Sequence, residues 1–336
     1  MRKILSLLKS PPVFWLSVAG TTIGVACFVK EHLQGGKYTK KTSADGKVFI
    51  VTGANTGIGK ETVRDLAHRG ATVYMACRDM KKCEEARDEI VLETYNKNIF
   101  CRECDLSSLG SIKNFVDKFK KEQDKLDVLI NNAGVMRCPR SLTKDGFEMQ
   151  LGVNHLGHFY LTNLLLDLLK NSAPSRIVVV SSLAHVRGEI CVGDLNSEKS
   201  YDEGKAYSQS KLANILFTRE LSKKLEGTGV TVNALHPGVV DTELFRHMGF
   251  FNNFFARLIV KPLFWPFIKN ARNGAQTTLY AALDPELEKV TGKYFSDCNL
   301  KNVLYPSDGG NGSTISTCTA ANRWSGALKV PNTVLL

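Results

Sequence analysis

The stretch TGANTGIGK, residues 52–60, is a glycine-rich turn between an apolar run and an amphipathic one. The run before it, KVFIVTG, is short and rich in β-branched residues, whereas GKETVRDLAHRG has the apolar spacing of a helix. Gly53, Gly57 and Gly59 therefore lie where a strand passes into a helix. Residues without a Cβ let the backbone approach a pyrophosphate, which the N-terminus of the helix stabilises. The turn predicts a nucleotide-binding site, although a tight strand-to-helix connection alone has the same appearance.

Short apolar runs alternate with longer amphipathic ones along most of the chain. The predicted strands are KVFIVTG (47–53), ATVYMAC (71–77), NIFCRECD (98–105), LDVLINNAG (126–134), RIVVVSS (176–182) and VTVNALHPG (230–238). Strands separated by helices of about ten to fifteen residues indicate βαβ units and a parallel sheet. Because the strands are almost continuously apolar, helices are expected on both faces of that sheet. The sequence therefore predicts a single doubly wound, Rossmann-type α/β domain over residues 47–300.

The positive charge of the chain is concentrated at its N-terminal end. Residues 1–47 carry eight lysines and arginines against Glu31 and Asp45, which is more than half of the total charge of +11. A basic tail favours an anionic membrane surface, and no nucleic-acid-binding motif accompanies it. The composition, 43% hydrophobic and 23% charged, is typical of a globular protein and not of a disordered one.

VFWLSVAGTTIGVACFV, residues 13–29, contains no charged residue and is flanked by Lys9 and Lys30. Seventeen residues are at the short end for a membrane-spanning helix, which needs about 20. We expect residues 1–30 to form a signal anchor or a membrane-dipping segment, and a cleaved signal peptide is the alternative. Residues 31–46 are polar and are predicted to be a linker.

The nine cysteines show no regular spacing, and their number is odd. The one close pair, Cys101 and Cys104, lies three positions apart on a predicted strand, so the two side chains should point to opposite faces. We expect reduced thiols and neither a zinc nor a redox site. His155 and His158 are spaced like metal ligands, but no third ligand accompanies them, and no metal site is predicted.

The end of the second strand, ACRDM, bears on the choice of nicotinamide cofactor. A carboxylate at this place binds the ribose 2′-hydroxyl of NAD, whereas an arginine accommodates the 2′-phosphate of NADP. Cys77 occupies the position expected for the acid, and Arg78 follows it. This favours NADP(H), although Arg78 could be a solvated charge at a strand end and Asp79 adds a competing acid.

Polar residues also follow the later strands. Asp105 ends the third strand, where it would contact an adenine or cap the next helix. NNAG, residues 131–134, ends the fourth strand, where its amides would satisfy open backbone groups and Gly134 would permit close approach of a cofactor. Asn154 is expected on an apolar helix face, where an amide is costly unless it is hydrogen-bonded.

TGANTGIG, NNAG, the paired serines of VVSS, YSQSK and HPG follow one another in this order. Together they resemble the short-chain dehydrogenase/reductase superfamily over residues 45–298. ACRDM, NNAGVMRCP, DGFEMQLGVNHLGHF and YSQSKLANILFTRELS are similar to its retinol dehydrogenase group, and RDMKKCEEA and VTVNALHPGVV to the retinol dehydrogenase 13 branch. The resemblance implies an NADP(H)-dependent oxidoreductase that interconverts retinal and retinol, or similar lipophilic aldehydes and alcohols, by hydride transfer.

The resemblance implies a role for each of four residues. Tyr207 would be the general acid/base, and Lys211 would lower its pKa and hold the nicotinamide ribose. Ser182 would bind the substrate oxygen, and Asn154 would support a water relay to Lys211. The spacing is compatible, because a free tyrosine has a pKa near 10 and a lysine four residues later on a helix puts a positive charge beside it. Taken alone, a Tyr-x-x-x-Lys spacing has no such meaning.

The same resemblance, with the glycine turn and Arg78, indicates which residues would hold the cofactor. They are Gly53, Asn55, Thr56, Gly57, Ile58, Gly59, Arg78, Asp105, Asn132, Ala133, Gly134, Tyr207, Lys211, Pro237, Gly238 and Thr242. It further implies an intracellular, membrane-associated enzyme, at mitochondria by the branch or at the endoplasmic reticulum by the wider group, and it allows a homodimer.

FRHMGFFNNFFARLIVKPLFWPF, residues 245–267, contains eight aromatic residues. Because it follows the last predicted strand, residues 245–270 are predicted to form a lid over an apolar substrate; core packing of an insertion is the alternative. Residues 301–336 are rich in Gly, Ser, Thr and Asn, and we expect them to be poorly ordered. They depart from the retinol dehydrogenase group, which usually ends in an amphipathic helix with a Leu-Trp pair.

Two other functions are compatible with these residues. A steroid or fatty-aldehyde carbonyl reductase would use the same Ser182, Tyr207 and Lys211. A non-catalytic, nucleotide-binding membrane scaffold would keep only the fold, and the presence of all three residues argues against it.

Overall fold

The computed structural model describes residues 11–240 and 268–303, and its centre is one sheet of eight strands. The strands are β1 (Val48–Thr52), β2 (Thr72–Cys77), β3 (Ile99–Glu103), β4 (Val128–Asn131), β5 (Ser175–Val180), β6 (Val230–His236), β7 (Tyr294–Ser296) and β8 (Asn299–Lys301). They are hydrogen-bonded in the order β3-β2-β1-β4-β5-β6-β7-β8. Only the pair β7 and β8 is antiparallel. The predicted Rossmann-type parallel sheet is confirmed.

Helices connect the parallel strands. They are α1 (Pro11–Leu33), α2 (Gly57–His68), α3 (Met80–Thr94), α4 (Leu109–Glu122), α5 (Met149–Leu151), α6 (Gly157–Asn171), α7 (Glu203–Lys224), α8 (Ala271–Gly274) and α9 (Gln276–Leu283). A π-helical turn over Gly152–Leu156 joins α5 to α6, and short 3-10 helices cover Leu183–Arg187 and Pro285–Leu287.

All six predicted strands are present, with ends that differ from the predicted ones by three residues or fewer. Strands β7 and β8 were missed in the sequence. Each is three residues long, which is too short to show the alternation that identifies a strand. They extend the sheet beyond β6 and end it with an antiparallel edge.

Alternate side chains of the strands enter two apolar cores, one on each face of the sheet. Phe49 and Val51 lie in the core covered by α2, α3 and α9. Val48 and Ile50 lie in the opposite core, covered by α4, α6 and α7. This confirms the doubly wound arrangement, in which the carboxyl ends of the parallel strands share one edge of the sheet.

Helix α1 carries large apolar side chains on its exposed surface. Trp15, Leu16 and Phe28 are 67%, 71% and 75% exposed. Among the residues that the structure describes, no helix has both the length and the apolar character needed to cross a bilayer.

The predicted linker packs against the domain over much of its length. Tyr38 is buried, with its ring edge-on to Tyr280 and beneath the guanidinium of Arg69. Ala44 is fully buried, and the amide of Gln34 is hydrogen-bonded to the backbone just before α8. This segment is held by a few separate side chains and hydrogen bonds and has no continuous apolar run. Its sequence therefore looked like that of a linker.

The expectation that the cysteines are reduced thiols is wrong for one pair. Cys83 on α3 and Cys101 on β3 form a buried disulfide. They are 18 residues apart in sequence, and only the packing of α3 on the sheet brings them together. The predicted opposite orientation of Cys101 and Cys104 is confirmed, because they belong to the cores on opposite faces.

Three predictions fall outside the described residues. They concern Thr242, the aromatic segment 245–267 and the tail from residue 304 onwards.

Candidate active site

The glycine turn between β1 and α2 packs closely against the loop after β4. Gly53 and Gly57 have φ angles of +63° and +56°, which glycine adopts without strain. A Cβ on Gly59 would lie 2.3 Å from the carbonyl oxygen of Gly53, and a Cβ on Gly53 would lie 2.9 Å from the Cα of Ala133. The glycines are therefore required by close backbone approach, and the start of α2 remains open to the space above the sheet.

That space is a cleft of about 260 Å³ at the carboxyl ends of β1 to β5, next to the point where the strand order changes direction. The predicted cofactor residues that line it are Gly53, Asn55, Thr56, Gly57, Ile58, Gly59, Arg78, Asp105, Asn132, Ala133, Gly134, Tyr207, Lys211 and Pro237. Gly238, with a φ of +91°, directly follows Pro237 at the rim.

The end of β2 presents two cations to the cleft. Arg78 and Lys82 both line it, and both are exposed. Asp79 is the N-cap of α3, where its carboxylate accepts a hydrogen bond from the backbone of Lys82 at 3.1 Å. The Cys77 thiol is buried, and burial raises its pKa to about 11, opposed by the neighbouring backbone of Ala54 and Asn55. A neutral thiol thus fills the place where a carboxylate would bind a 2′-hydroxyl.

Asp105 lines the cleft, but the alternative that it caps the next helix is wrong. Helix α4 begins at Leu109 and its N-cap is Ser108. Asp105 instead accepts hydrogen bonds from the backbone and hydroxyl of Ser107, at 3.0 and 2.7 Å, and pairs with Lys144. Burial acts to raise the pKa of Asp105, but these donors hold it below its ordinary value. The carboxylate closes a local turn, which spacing alone did not distinguish from a cap.

The loop after β4 is tied to the end of β1 through Thr52. The Thr52 hydroxyl accepts hydrogen bonds from the backbone of Asn132 and Ala133 at 2.9 and 3.0 Å, and the Asn132 amide donates to the Thr52 carbonyl at 2.8 Å. The predicted backbone role of the NNAG amides is confirmed for Asn132. A Cβ on Gly134 would lie 3.2 Å from Oδ1 of Asn154, so the loop passes closely over that side chain.

Tyr207 lines the cleft and lies beside Ser182. Tyr207 lies in the second turn of α7, which begins at its N-cap Asp202. Its hydroxyl lies beside the side chain of Ser182, which follows β5. Burial raises the pKa of Tyr207 above its ordinary value, and the neighbouring Ser182 hydroxyl opposes this rise. That Lys211 lowers the pKa of Tyr207 stays a prediction, because burial has the largest effect on this pKa and raises it.

Lys211 lies one helical turn beyond Tyr207 and is almost fully buried. Its ammonium is 5.7 Å from the centre of the Tyr207 ring and donates to the Val180 carbonyl at 3.1 Å. Burial lowers the pKa of Lys211 to about 8. The hydroxyl of Ser181 donates to the backbone of Lys211 at 2.8 Å. The first serine of the pair is therefore structural, and the second faces the tyrosine.

Asn154 lies in the π-helical turn and is completely buried. Its Oδ1 accepts from the backbone N–H of Val135 at 2.7 Å, and its Nδ2 donates to the Val135 carbonyl and to the Ser210 hydroxyl, both at 2.9 Å. The expectation that this amide is fully hydrogen-bonded is confirmed. The water relay to Lys211 stays a prediction.

His155 and His158 serve as hydrogen-bonding groups beneath the cleft. The ring of His155 shares a hydrogen bond with Asn214 at 2.9 Å, and the ring of His158 bonds with Thr52 Oγ1 at 2.8 Å and the Asn154 carbonyl at 3.0 Å. Burial lowers their pKa values to about 4 and about 3, so both rings are neutral. Their i, i+3 spacing thus has a packing explanation.

Residues 47–249 match the model of the short chain dehydrogenase family. The chain belongs to this family. Human retinol dehydrogenase 13 is 54% identical over 287 residues, which cover 85% of this chain and 87% of that protein. Human retinol dehydrogenase 12 is 55% identical over 274 residues, covering 82% and 85%. A crystal structure of an uncharacterised protein from Mycobacterium paratuberculosis superposes with a TM-score of 0.65, at 36% identity and with 87% and 96% coverage.

This short-chain dehydrogenase is an oxidoreductase of the retinol dehydrogenase group. Two polar residues, one lining the cleft and one beside it, were not singled out from the sequence. Lys82 lines the cleft from the first turn of α3, which begins two residues after Arg78. Gln150 lies four residues before Asn154, and only the tertiary contacts reveal what it holds.

Proposed function

We propose that this short-chain dehydrogenase uses NADP(H) to interconvert lipophilic aldehydes and alcohols, with retinal and retinol as the first candidates. The observation that carries the proposal is the grouping of the Tyr207 hydroxyl with the Ser182 side chain and the buried ammonium of Lys211, which is 5.7 Å from the centre of the tyrosine ring. Tyr207 and Lys211 line a cleft shaped by a glycine turn, where they would serve as proton donor and positive charge.

The residues fit a dinucleotide cofactor in shape and in charge. Close backbone packing of Gly53 and Gly59 opens the N-terminus of α2, where a pyrophosphate would bind. Arg78 and Lys82 would hold a 2′-phosphate, while Lys211 would hold the nicotinamide ribose. When bound, NADP(H) supplies or accepts the hydride, and the protein supplies orientation and the proton.

Tyr207 gives its proton to the substrate oxygen in the reducing direction. Burial favours the neutral phenol, so at neutral pH the proton is present before reaction. The Ser182 hydroxyl forms a hydrogen bond with the same substrate oxygen and fixes the position of that oxygen. Below a pH of about 8, Lys211 is protonated and stabilises the phenolate that proton transfer leaves behind. In the oxidising direction Tyr207 must first lose its proton, and the resulting phenolate, stabilised by Lys211, accepts the proton of the alcohol.

Exposed apolar side chains next in sequence to residues of the site support a lipophilic substrate. Leu183 follows Ser182 and is 56% exposed, and Val239 follows Gly238 and is 53% exposed. The similar proteins carry the name retinol dehydrogenase, which directs the first choice of substrate. The exposed apolar side chains of α1, together with the basic residues around it, support contact with a membrane, where such substrates dissolve.

The proposal is tested with the full-length chain in detergent or vesicles and a panel of retinal, medium-chain aldehydes and ketosteroids. We expect NADPH oxidation with retinal or the aldehydes, and weaker turnover with NADH. Faster turnover of ketosteroids would show that the substrates are steroids and not retinal or aliphatic aldehydes. Tight NADPH binding without turnover of any compound would refute the enzymatic proposal and favour a nucleotide-binding scaffold.

A further inference from the structure

A buried polar cluster next to the cleft is not used by the proposed chemistry. Glu148 and Gln150, at and after the N-cap of α5, are both completely buried. The Glu148 carboxylate accepts the backbone N–H groups of Gln150 and Leu151 at 2.9 and 2.7 Å, and burial raises its pKa. This cap fixes the short helix from which Gln150 projects.

The Gln150 side chain uses its polar atoms in three hydrogen bonds. Its Oε1 accepts from the backbone N–H of Arg137 at 2.8 Å, in the loop after β4. Its Nε2 donates to the hydroxyl of Tyr201 at 3.0 Å and to the carbonyl of Glu203 at 2.9 Å. Glu203 is the first residue of α7. Gln150 therefore joins the loop after β4 to the start of the helix that carries Tyr207.

Asn154 makes an equivalent connection one helical turn later. It bonds to the backbone of Val135 in the same loop and to the hydroxyl of Ser210 on α7. The side-chain amides of Gln150 and Asn154 therefore each connect the loop after β4 to α7. On α7 the contact points are Glu203 and Ser210, and Tyr207 lies between them.

Other contacts hold the start of α7 to the same loop. Tyr201 donates its hydroxyl hydrogen to the Cys138 carbonyl at 2.7 Å. A Cβ on Gly204 would lie 2.9 Å from a guanidinium nitrogen of Arg137, so this side chain lies directly on the first turn of the helix. The first turn of α7 is thus fixed by the loop whose other end lines the cofactor cleft.

We infer that Gln150 is a positioning residue for Tyr207: with Asn154 it fixes the helical segment 203–210 at both ends, and so sets where the tyrosine hydroxyl lies relative to the cleft. The inference rests on the proposed role of Tyr207 as the proton donor. Gln150 does not line the cleft, and we expect its loss to act chiefly through the start of the helix that carries the tyrosine. A displacement of about 1 Å in such a group can lower a rate about 100-fold.

Two substitutions distinguish the hydrogen bond of Gln150 to the loop after β4 from its hydrogen bonds to Tyr201 and the start of α7. Gln150→Glu keeps the acceptor for the Arg137 backbone but replaces the donor toward the Glu203 carbonyl with an oxygen. Gln150→Met removes all three hydrogen bonds and keeps a side chain of similar length. We expect kcat to fall about 10- to 100-fold in both, with NADPH affinity changed less than about two-fold. With NADPH deuterated at the transferred position, we expect a larger isotope effect on kcat, which a reduced folded fraction does not produce.

The matched control is Asn233→Leu, which removes a buried amide on β6 that bonds to the backbone of Val290 and Lys293 and makes no hydrogen bond to α7. We expect it to lower stability without changing kcat per folded enzyme or the isotope effect. Hydrogen exchange gives a readout that does not need turnover: the Gln150 variants should exchange faster over residues 203–210, and the control should not. If wild-type protein turns over no substrate, the proposed function fails and exchange alone decides the inference. Unchanged kcat together with unchanged exchange in this segment would overturn it.

Discussion

At the scale of single residues, the site combines two side chains whose pKa values burial moves in opposite directions. Burial raises the pKa of Tyr207 and lowers that of Lys211 to about 8, because the charged form of each is the one that loses solvation. At neutral pH the tyrosine therefore keeps its proton and the lysine keeps its charge. This is the combination that a carbonyl reduction needs: burial reinforces the neutral phenol and brings the pKa of the lysine closer to neutrality.

Replacing Tyr207 with phenylalanine removes the proton and leaves the ring in place. We expect turnover to fall at least about 100-fold, the lower range for loss of a general acid. NADPH affinity, measured by fluorescence titration, should change less than about two-fold, since the hydroxyl faces Ser182. Substantial remaining turnover would exclude Tyr207 as the proton donor.

Replacing Arg78 with glutamine tests the choice of cofactor. A hydrogen bond to a charged group contributes about 1.5–3 kcal/mol, so we expect NADPH binding to weaken about 10- to 100-fold and NADH binding much less. Asp79→Asn is the matched control, because asparagine caps α3 as aspartate does. An equal loss of both cofactors in Arg78→Gln would contradict the assignment to NADP(H).

At the scale of elements, the end of β1 is joined to the loop after β4 and to α6 through one hydroxyl. Thr52 accepts from the backbone of Asn132 and Ala133 and bonds with the ring of His158. It is 1% exposed, so water cannot replace these bonds. The positions of the glycine turn and of NNAG therefore depend on each other.

Thr52→Val keeps the shape of the side chain but leaves the backbone N–H groups of half-buried Asn132 and Ala133 without their acceptor. A fully buried unpaired group costs about 1–3 kcal/mol, so for these two we expect the free energy of unfolding, from urea titration, to fall by about 2–4 kcal/mol, in the lower part of the range for two such groups. Thr52→Ser keeps the hydroxyl and loses a methyl group, so its loss should be about 1 kcal/mol. Equal losses in the two variants would show that the hydroxyl has no special role.

At the scale of the whole molecule, the segment after α1 belongs to the catalytic domain. Tyr38 and Ala44 complete the core on the α2 and α9 side. Lys40 pairs at 2.9 Å with Asp284, a carboxylate that is 1% exposed. The domain therefore extends back to about residue 34, whereas α1 keeps its apolar side chains outside.

Two truncations separate these parts. Removing residues 1–33 should abolish binding to vesicles that contain phosphatidylserine and change the unfolding free energy by less than about 1 kcal/mol. Removing residues 1–46 should lower it by a further 2 kcal/mol or more, about the contribution of one buried aromatic side chain. Equal stability of the two truncated proteins would refute the packing role of the segment, and retained vesicle binding in both would refute membrane contact through α1.

Much of the fold and of the site could be predicted from sequence because its signals are local. Strand length, helix periodicity and the glycine turn depend on neighbours within a few residues. The six main strands, the order of elements and the cleft at the carboxyl ends of the strands follow from them. Strands β7 and β8 were too short to carry such a signal.

The sequence by itself determined the doubly wound fold, the glycine turn and the residue types that the site contains. Only the tertiary structure decided their states and partners: the engagement of Asp79 as a cap, the disulfide of Cys83 and Cys101, the raised pKa of Tyr207 and the bridge made by Gln150. The physical reason is that burial and hydrogen-bond partners come from segments far apart in the chain. A pKa or a bond between such segments exists only once the sheet and its helices have packed.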